Sequence, residues 1–183
     1  MTTENPDYKF GHHLKSDFVH RNSLGIVGVI MGSRSDWPFM KPCTDMLELL
    51  EIPFELGVVS AHRTSGRMES YGKSAANRGI KIIIACAGGS AHLPGMIASE
   101  NSLPVLGVAP KKSDTDAVGS MIAMPAGIPL AYMGGGSAEW KNAGAVNAAL
   151  LAAQILALFD EGLLVRLEKY RFELTNDVPY TCF

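Results

Sequence analysis

Gly25-Ile26-Val27-Gly28-Val29-Ile30-Met31 is an unbroken β-prone run, and it stops at once in Gly32-Ser33-Arg34-Ser35-Asp36-Trp37. A strand apolar on both faces belongs inside a parallel sheet that is covered on each side. The next stretch agrees. Across residues 36–51, Trp37, Met40, Met46, Leu47 and Leu50 fall at roughly helical intervals, and Pro38 is tolerated in a first turn. The unit is strand, tight turn, helix.

The same unit recurs along the chain. Phe54-Glu55-Leu56-Gly57-Val58-Val59 reads as a second strand ending in Ser60-Ala61-His62-Arg63-Thr64, with a helix over residues 66–77. Residues 81–87 form a third strand, which ends in Gly88-Gly89-Ser90-Ala91-His92, and residues 93–100 a helix with Pro94 near its start. Shorter strands are predicted over 104–108 and 128–133. Alternating strands and helices with short turns imply an α/β fold with a parallel sheet and right-handed crossovers. Ligands of such sheets sit at the carboxyl ends of the strands, so the polar turns after the first three strands converge on one edge.

The bulk properties narrow the function classes. At 183 residues, one domain is the default. Lys+Arg (16) nearly balance Asp+Glu (18), a net charge of -2 that leaves no electrostatic footprint for nucleic acid or an anionic membrane. Any bound anion must be held by a local site. Cys43, Cys86 and Cys182 are odd in number and lack a CxxC spacing, so neither a disulfide framework nor a zinc site is expected, and a reducing cytoplasm fits. No signal-peptide core and no membrane span is legible.

Residues 1–22 are polar and are read as a flexible arm. Its His12, His13 and His20 have no cysteine or carboxylate pattern around them and are read as surface residues rather than metal ligands. A catalytic domain is expected over 23–165, and a C-terminal charged helix and tail over 166–183. Residues 147–158 are almost wholly apolar and Ala-rich, which suits a helix buried all round. One domain of this size has little room for that, so burial against a partner subunit, and hence a homo-oligomer, is expected; the tail is expected to reach a neighbour too.

Three turns carry the candidate chemistry. Gly32 to Trp37 offers backbone N–H groups, a helix N-terminus and the hydroxyls of Ser33 and Ser35 to a phosphate; equally, Ser35 or Asp36 simply caps the helix. Ser60-Ala61-His62-Arg63-Thr64 places an imidazole suited to proton transfer beside a guanidinium suited to bidentate phosphate binding. Gly88-Gly89-Ser90-Ala91-His92-Leu93 allows close backbone approach to a flat ligand and could hold a carboxylate or CO2, or else is a tight turn with a buried His92. Cys86 falls within a strand and is read as core.

Taken together, GSRSDW at 32–37, SAHRT at 60–64 and AGGSAHLPGM at 87–96 closely resemble the N5-carboxyaminoimidazole ribonucleotide mutase (PurE) family of purine biosynthesis, over residues 24–158. The resemblance implies a flavodoxin-like three-layer α/β/α sandwich, an octamer, no metal or organic cofactor, and a phosphorylated imidazole ribonucleotide as substrate. It implies that Ser33, Asp36 and Arg63 contact the ribose phosphate, that His62 is the general acid and base, and that His92 with Gly88, Gly89, Ser90 and Ala91 lines the pocket where the carboxyl group moves. Gly32, Ser35, Ser60 and Leu93 complete the expected substrate-binding set. The family branch that carboxylates aminoimidazole ribonucleotide directly with CO2 usually reads AHKT and AGRSN here, so Arg63 and the Gly89-Ser90-Ala91-His92 run point to the mutase branch. Two departures fall outside these motifs. Residues 137–143 look like an insertion, and 114–125 differ from the usual GxDSLLSxVQMP.

Overall fold

The computed structural model describes residues 19–21, 25–110, 115–134 and 142–179. Its elements are β1 (Val19–Arg21), β2 (Val27–Met31), α1 (Trp37–Leu49), β3 (Phe54–Val58), α2 (Ser65–Ala75), β4 (Ile82–Cys86), α3 (His92–Ser99), β5 (Val105–Val108), α4 (Thr115–Ile122), β6 (Ala131–Tyr132), α5 (Ala143–Ala157) and α6 (Glu161–Asn176). The sheet order is β1-β3-β2-β4-β5-β6, with every pairing parallel except β1 with β3. The five parallel strands thus follow the flavodoxin-like order, in which the chain reverses its direction of travel between β2 and β4. There, at the carboxyl edge, Gly32 N donates to Cys86 O at 2.9 Å.

Period-two alternation explains the three layers. Val27, Val29 and Met31 of β2, with Ile82, Ile84 and Cys86 of β4, pack under α1, α5 and α6; Ile30, Ile83 and Ala85 face the other way, toward α2, α3 and α4. Both faces of β2 and β4 are buried, which is why their sequence is apolar throughout.

A polar cluster interrupts the second layer. Arg78 Nη2 donates to Glu55 Oε1 at 2.7 Å, their side chains being 8 % and 2 % exposed, and the Arg78 guanidinium lies 4.7 Å from the centre of the Tyr71 ring. Gly28 makes the room: a Cβ there would come within 2.1 Å of the Tyr71 hydroxyl oxygen. The cluster joins β3 to α2, the two elements that flank the second turn.

Several expectations need correction. Val19–Arg21, inside the segment read as an arm, is an edge strand paired with Phe54–Leu56; backbone pairing of three residues needs no apolar alternation. His12 and His13 lie outside the described residues. The predicted strand over 128–133 shrinks to Ala131–Tyr132, since Pro129 has no N–H to donate to a ladder. The C-terminal helix begins at Glu161 rather than 166, capped by Asp160, whose carboxylate accepts from Leu163 N at 2.9 Å. Its Leu163 and Leu167 pack within the chain, and Arg166 Nε donates to Leu50 O at 2.9 Å. Within the single chain α5 buries an alanine stripe (Ala145, Ala148, Ala149, Ala152, Ala153), while Asn147 and Gln154 are exposed and Leu150, Leu151 and Ile155 half-buried, so the chain by itself leaves part of the helix uncovered, in line with the little room expected in one domain. Residues 135–141, most of the expected insertion, lie outside the described residues. Among the described residues no helix is long and apolar enough to cross a membrane.

Candidate active site

The turn after β2 closes on itself. Ser33 N donates to Asp36 Oδ2 at 3.0 Å while Ser33 Oγ accepts from Ser35 N at 3.3 Å, a capping box on the short 3-10 turn that leads into α1. Ser35 Oγ donates to Ser33 Oγ at 2.9 Å. The segment does cap, but through Ser33 rather than the expected Ser35 or Asp36: Asp36 completes the box on the 3-10 turn and makes no side-chain cap bond at the start of α1, and the backbone amides of Ser33 and Ser35 are already engaged. What the turn offers a ligand is mainly its hydroxyls. Burial pushes the Asp36 carboxyl above its ordinary value, opposed by the Ser33 N–H and the Arg63 guanidinium.

The turn after β3 is fixed by Thr64. Its Oγ1 accepts from Ser60 N at 2.9 Å and donates to Ser60 O at 3.0 Å. Arg63 crosses to the first turn, with Nη2 donating to Gly32 O at 3.0 Å and Nε to Ser60 Oγ at 3.3 Å. The two turns enclose an open cleft of about 350 Å³ lined by Gly32, Ser33, Arg34, Val58, Ser60, Arg63, Thr64 and Arg67. Three guanidinium groups around serine hydroxyls form a site suited to a phosphate dianion. Arg34 and Arg67 had escaped the sequence reading; the only signal was their placement inside, or one helical turn beyond, the two motifs.

His62, next to Arg63, turns away from that cleft toward the turn after β4. Its Nε2 lies 3.0 Å from His92 Nδ1, with the ring centres 5.0 Å apart and the rings perpendicular. At that separation one nitrogen must donate and the other accept, so the tautomers of the two rings are linked. Both imidazoles are exposed, as are Gly88, Gly89 and Ser90, and the buried-His92 alternative is thereby excluded. Ala91 and Leu93 are instead buried, at 3 % and 2 %, and their side chains belong to the core beneath α3. Cys86 is fully buried with its thiol pushed well up by burial, as a core residue should be. Among the described residues no group of three His, Cys, Asp or Glu side chains is arranged to hold a metal ion.

Comparison with known proteins gives a consistent result. The family model described as AIR carboxylase matches residues 26–177. An N5-carboxyaminoimidazole ribonucleotide mutase of Bacillus subtilis is 51% identical over 150 residues, 80% of this chain and 89% of that protein. The mutase of Escherichia coli K12 is 45% identical over 161 residues, covering 86% and 92% respectively. Among solved structures, Treponema denticola PurE superposes with a TM-score of 0.72 at 27% identity, covering 82% of this chain and 92% of that one.

Proposed function

The chain belongs to the AIR carboxylase family, and from that premise we propose that its three polar turns divide one reaction between them, phosphate binding after β2 and β3 and proton transfer beside the turn after β4. The reaction is that of an N5-carboxyaminoimidazole ribonucleotide mutase, an isomerase of purine biosynthesis that moves a carboxyl group from N5 to carbon 4 of the imidazole. Direct carboxylation of aminoimidazole ribonucleotide by CO2 is the less supported alternative, since the relatives that are 45% to 51% identical are named as mutases.

One observation carries the assignment of residues. His62 and Arg63 are consecutive, yet one reaches His92 and the other the serine turn, so a nucleotide held by its phosphate presents its base to the imidazoles. In this reading Ser33, Ser35, Ser60 and Arg63 hold the phosphate, Asp36 the ribose, and Gly32 leaves room for backbone approach. His62 donates a proton to N5 as the carbamate C–N bond breaks, giving aminoimidazole ribonucleotide and CO2. Carbon 4 then attacks the CO2, and His62, now neutral, removes the ring proton from carbon 4. One proton is given and one recovered, so no co-reactant is consumed. His92 orients His62, and Gly88, Gly89, Ser90 and Ala91, anchored by Leu93 below, keep CO2 from leaving.

The catalytic domain, expected to end near 165, is better drawn through α6, whose Leu163 and Leu167 pack into the core and which lies within the family match over residues 26–177; the exposed Leu158, Phe159, Val165 and Phe172, together with the half-buried leucines of α5, support a homo-oligomer, with the octamer implied by the family as the expected form. A cytoplasmic location suits the free thiols of Cys43 and Cys86.

The test uses two variants. His62→Asn is expected to bind the nucleotide, because the arginine cleft is intact, and to lose both half-reactions together, by about 10⁴ in rate for a sole proton carrier. Turnover followed by absorbance and binding followed by calorimetry separate the two properties. Near-normal turnover in His62→Asn with abolition in His92→Asn would transfer the role of acid to His92.

A further inference from the structure

We propose that α4 braces the turn after β4 and that Ser120 is the positioning residue through which it acts, an inference that rests on reading that turn as the place where CO2 is held. Ser120 Oγ donates to Ser90 O at 2.6 Å, a contact between segments that no local turn would bring together. The backbone it grips is strained. Gly89 has φ +61 and Ala91 φ +45, a left-handed conformation natural to glycine and unfavourable for alanine.

A conformation of this kind persists only where its surroundings over-determine it. Within the turn, Ala91 N donates to Gly88 O at 3.1 Å. Ala91 is also the N-cap of α3, and it has no side-chain hydrogen bond with which to fix the entry of that helix. Fixation has to come from outside, and α4 supplies it twice. Besides the Ser120 contact, the α4 region seats tightly below α3: a Cβ on Gly95 would lie 3.0 Å from Met124 Sδ, and one on Gly107 would lie 3.0 Å from Met121 Sδ and 3.2 Å from Pro94 Cβ. Glycine at both positions lets these neighbours sit this close without yielding by a few tenths of an ångström. His92 is the first residue of α3, so the 3.0 Å approach of its ring to His62 is inherited from the same support.

The functional consequence concerns CO2. A small neutral molecule makes few contacts, and its recapture by carbon 4 depends on a wall that does not move during its lifetime. Ser120 reaches the turn through the carbonyl of Ser90 and is given no contact with the reacting atoms in this proposal; it acts by holding Ser90, Ala91 and His92 in place. Loosening the turn lets CO2 escape after the carbamate has broken, so aminoimidazole ribonucleotide accumulates in place of the carboxylated product.

The experiment compares wild type, Ser120→Ala and Ser120→Thr as full chains supplied with N5-carboxyaminoimidazole ribonucleotide. Products are separated by chromatography, with the spontaneous loss of CO2 subtracted. For Ser120→Ala we expect affinity for the carboxylated product nucleotide within about twofold of wild type, kcat lower by about tenfold or more, and a larger fraction of aminoimidazole ribonucleotide. Ser120→Thr, which keeps the hydroxyl, should recover most of the loss. Amide hydrogen exchange at Ala91, whose N–H donates to Gly88 O, should quicken in Ser120→Ala and remain slow in Ser120→Thr. Unchanged exchange at that amide overturns the brace whatever the activity. So does an unchanged product ratio, or a loss of nucleotide affinity equal to the loss of turnover. Failure of the wild type to make the carboxylated product overturns the mutase reading alone, and the exchange measurement still decides the brace.

Discussion

Replacing Glu55 by Gln keeps the shape of the side chain and removes its charge, leaving the Arg78 guanidinium buried without its carboxylate. The pair is tight, 2.7 Å, and almost wholly sealed, at 2 % and 8 % exposure. Breaking a buried pair from one side costs roughly 3–5 kcal/mol. Because the amide oxygen of Gln still accepts a hydrogen bond and Ser74 Oγ still accepts from Arg78, the lower end, about 3 kcal/mol, is expected. For a chain of this length that corresponds to a fall in Tm of about 6–12 °C. Circular-dichroism melts at neutral pH measure it directly. Replacing both members, Glu55→Leu with Arg78→Leu, should recover much of the loss, because no buried charge then remains. A melting shift of Glu55→Gln below about 2 °C would refute the reasoning, as it would mean that water or a rearranged side chain already screens Arg78.

In the proposed reading Arg63→Ala removes a charge-assisted phosphate contact worth roughly 1.5–3 kcal/mol and is expected to raise the Kd of the nucleotide roughly 10- to 150-fold by calorimetry; an unchanged Kd would remove Arg63 from the phosphate site proposed. Asp36→Asn should gain stability over wild type as pH rises. Burial holds the Asp36 carboxyl above its ordinary value, so its contribution is fully present below the unfolded value and is lost as pH climbs through the folded one, whereas Asn does not ionise. Melts in acid and at neutral pH check the sign, and a Tm of Asp36→Asn relative to wild type that falls toward neutrality would contradict it. Sedimentation at micromolar concentration should give a multiple of the 19.6 kDa chain mass, and a monomer would contradict the reading of the apolar surface on α5 and α6.

The strands that position the site were legible because β2 and β4 are apolar on both faces, a pattern that only a covered parallel sheet explains. Their polar endings could therefore be assigned to one edge before any coordinate was known. β1 was not legible, since a three-residue edge strand is held by backbone pairing and leaves no side-chain period. The shortening of β6 was signalled by Pro129 but overridden by the apolar residues around it. The Glu55–Arg78 pair was invisible for another reason: charged residues 23 positions apart read as surface until the fold closes over them. Both histidines were placed at the correct edge, but their direct contact depends on the sheet order, which sets β3 and β4 on either side of β2. Ser120 lay in a segment noted only for departing from a family pattern, and its hydrogen bond to Ser90 is a tertiary fact that no local rule encodes.

The two halves of the site stand on different supports, and this decides which perturbations separate binding from chemistry. The cleft proposed for the phosphate is built on the ends of β2 and β3, where the Ser33–Asp36 capping box and the Thr64–Ser60 bonds satisfy the backbone locally. The turn beside His92 is built on β4 and α3 and is held from outside by α4. Only the Ser60 to Thr64 turn belongs to both, because Ser60 and Arg63 face the cleft while His62 faces His92. Substitutions confined to the first support should therefore move Kd, and those confined to the second should move kcat or the fate of CO2. Those that loosen the shared turn, Thr64 among them, should move both, since in the proposed reading Arg63 grips the phosphate and His62 carries the proton, and the two are joined by one peptide bond.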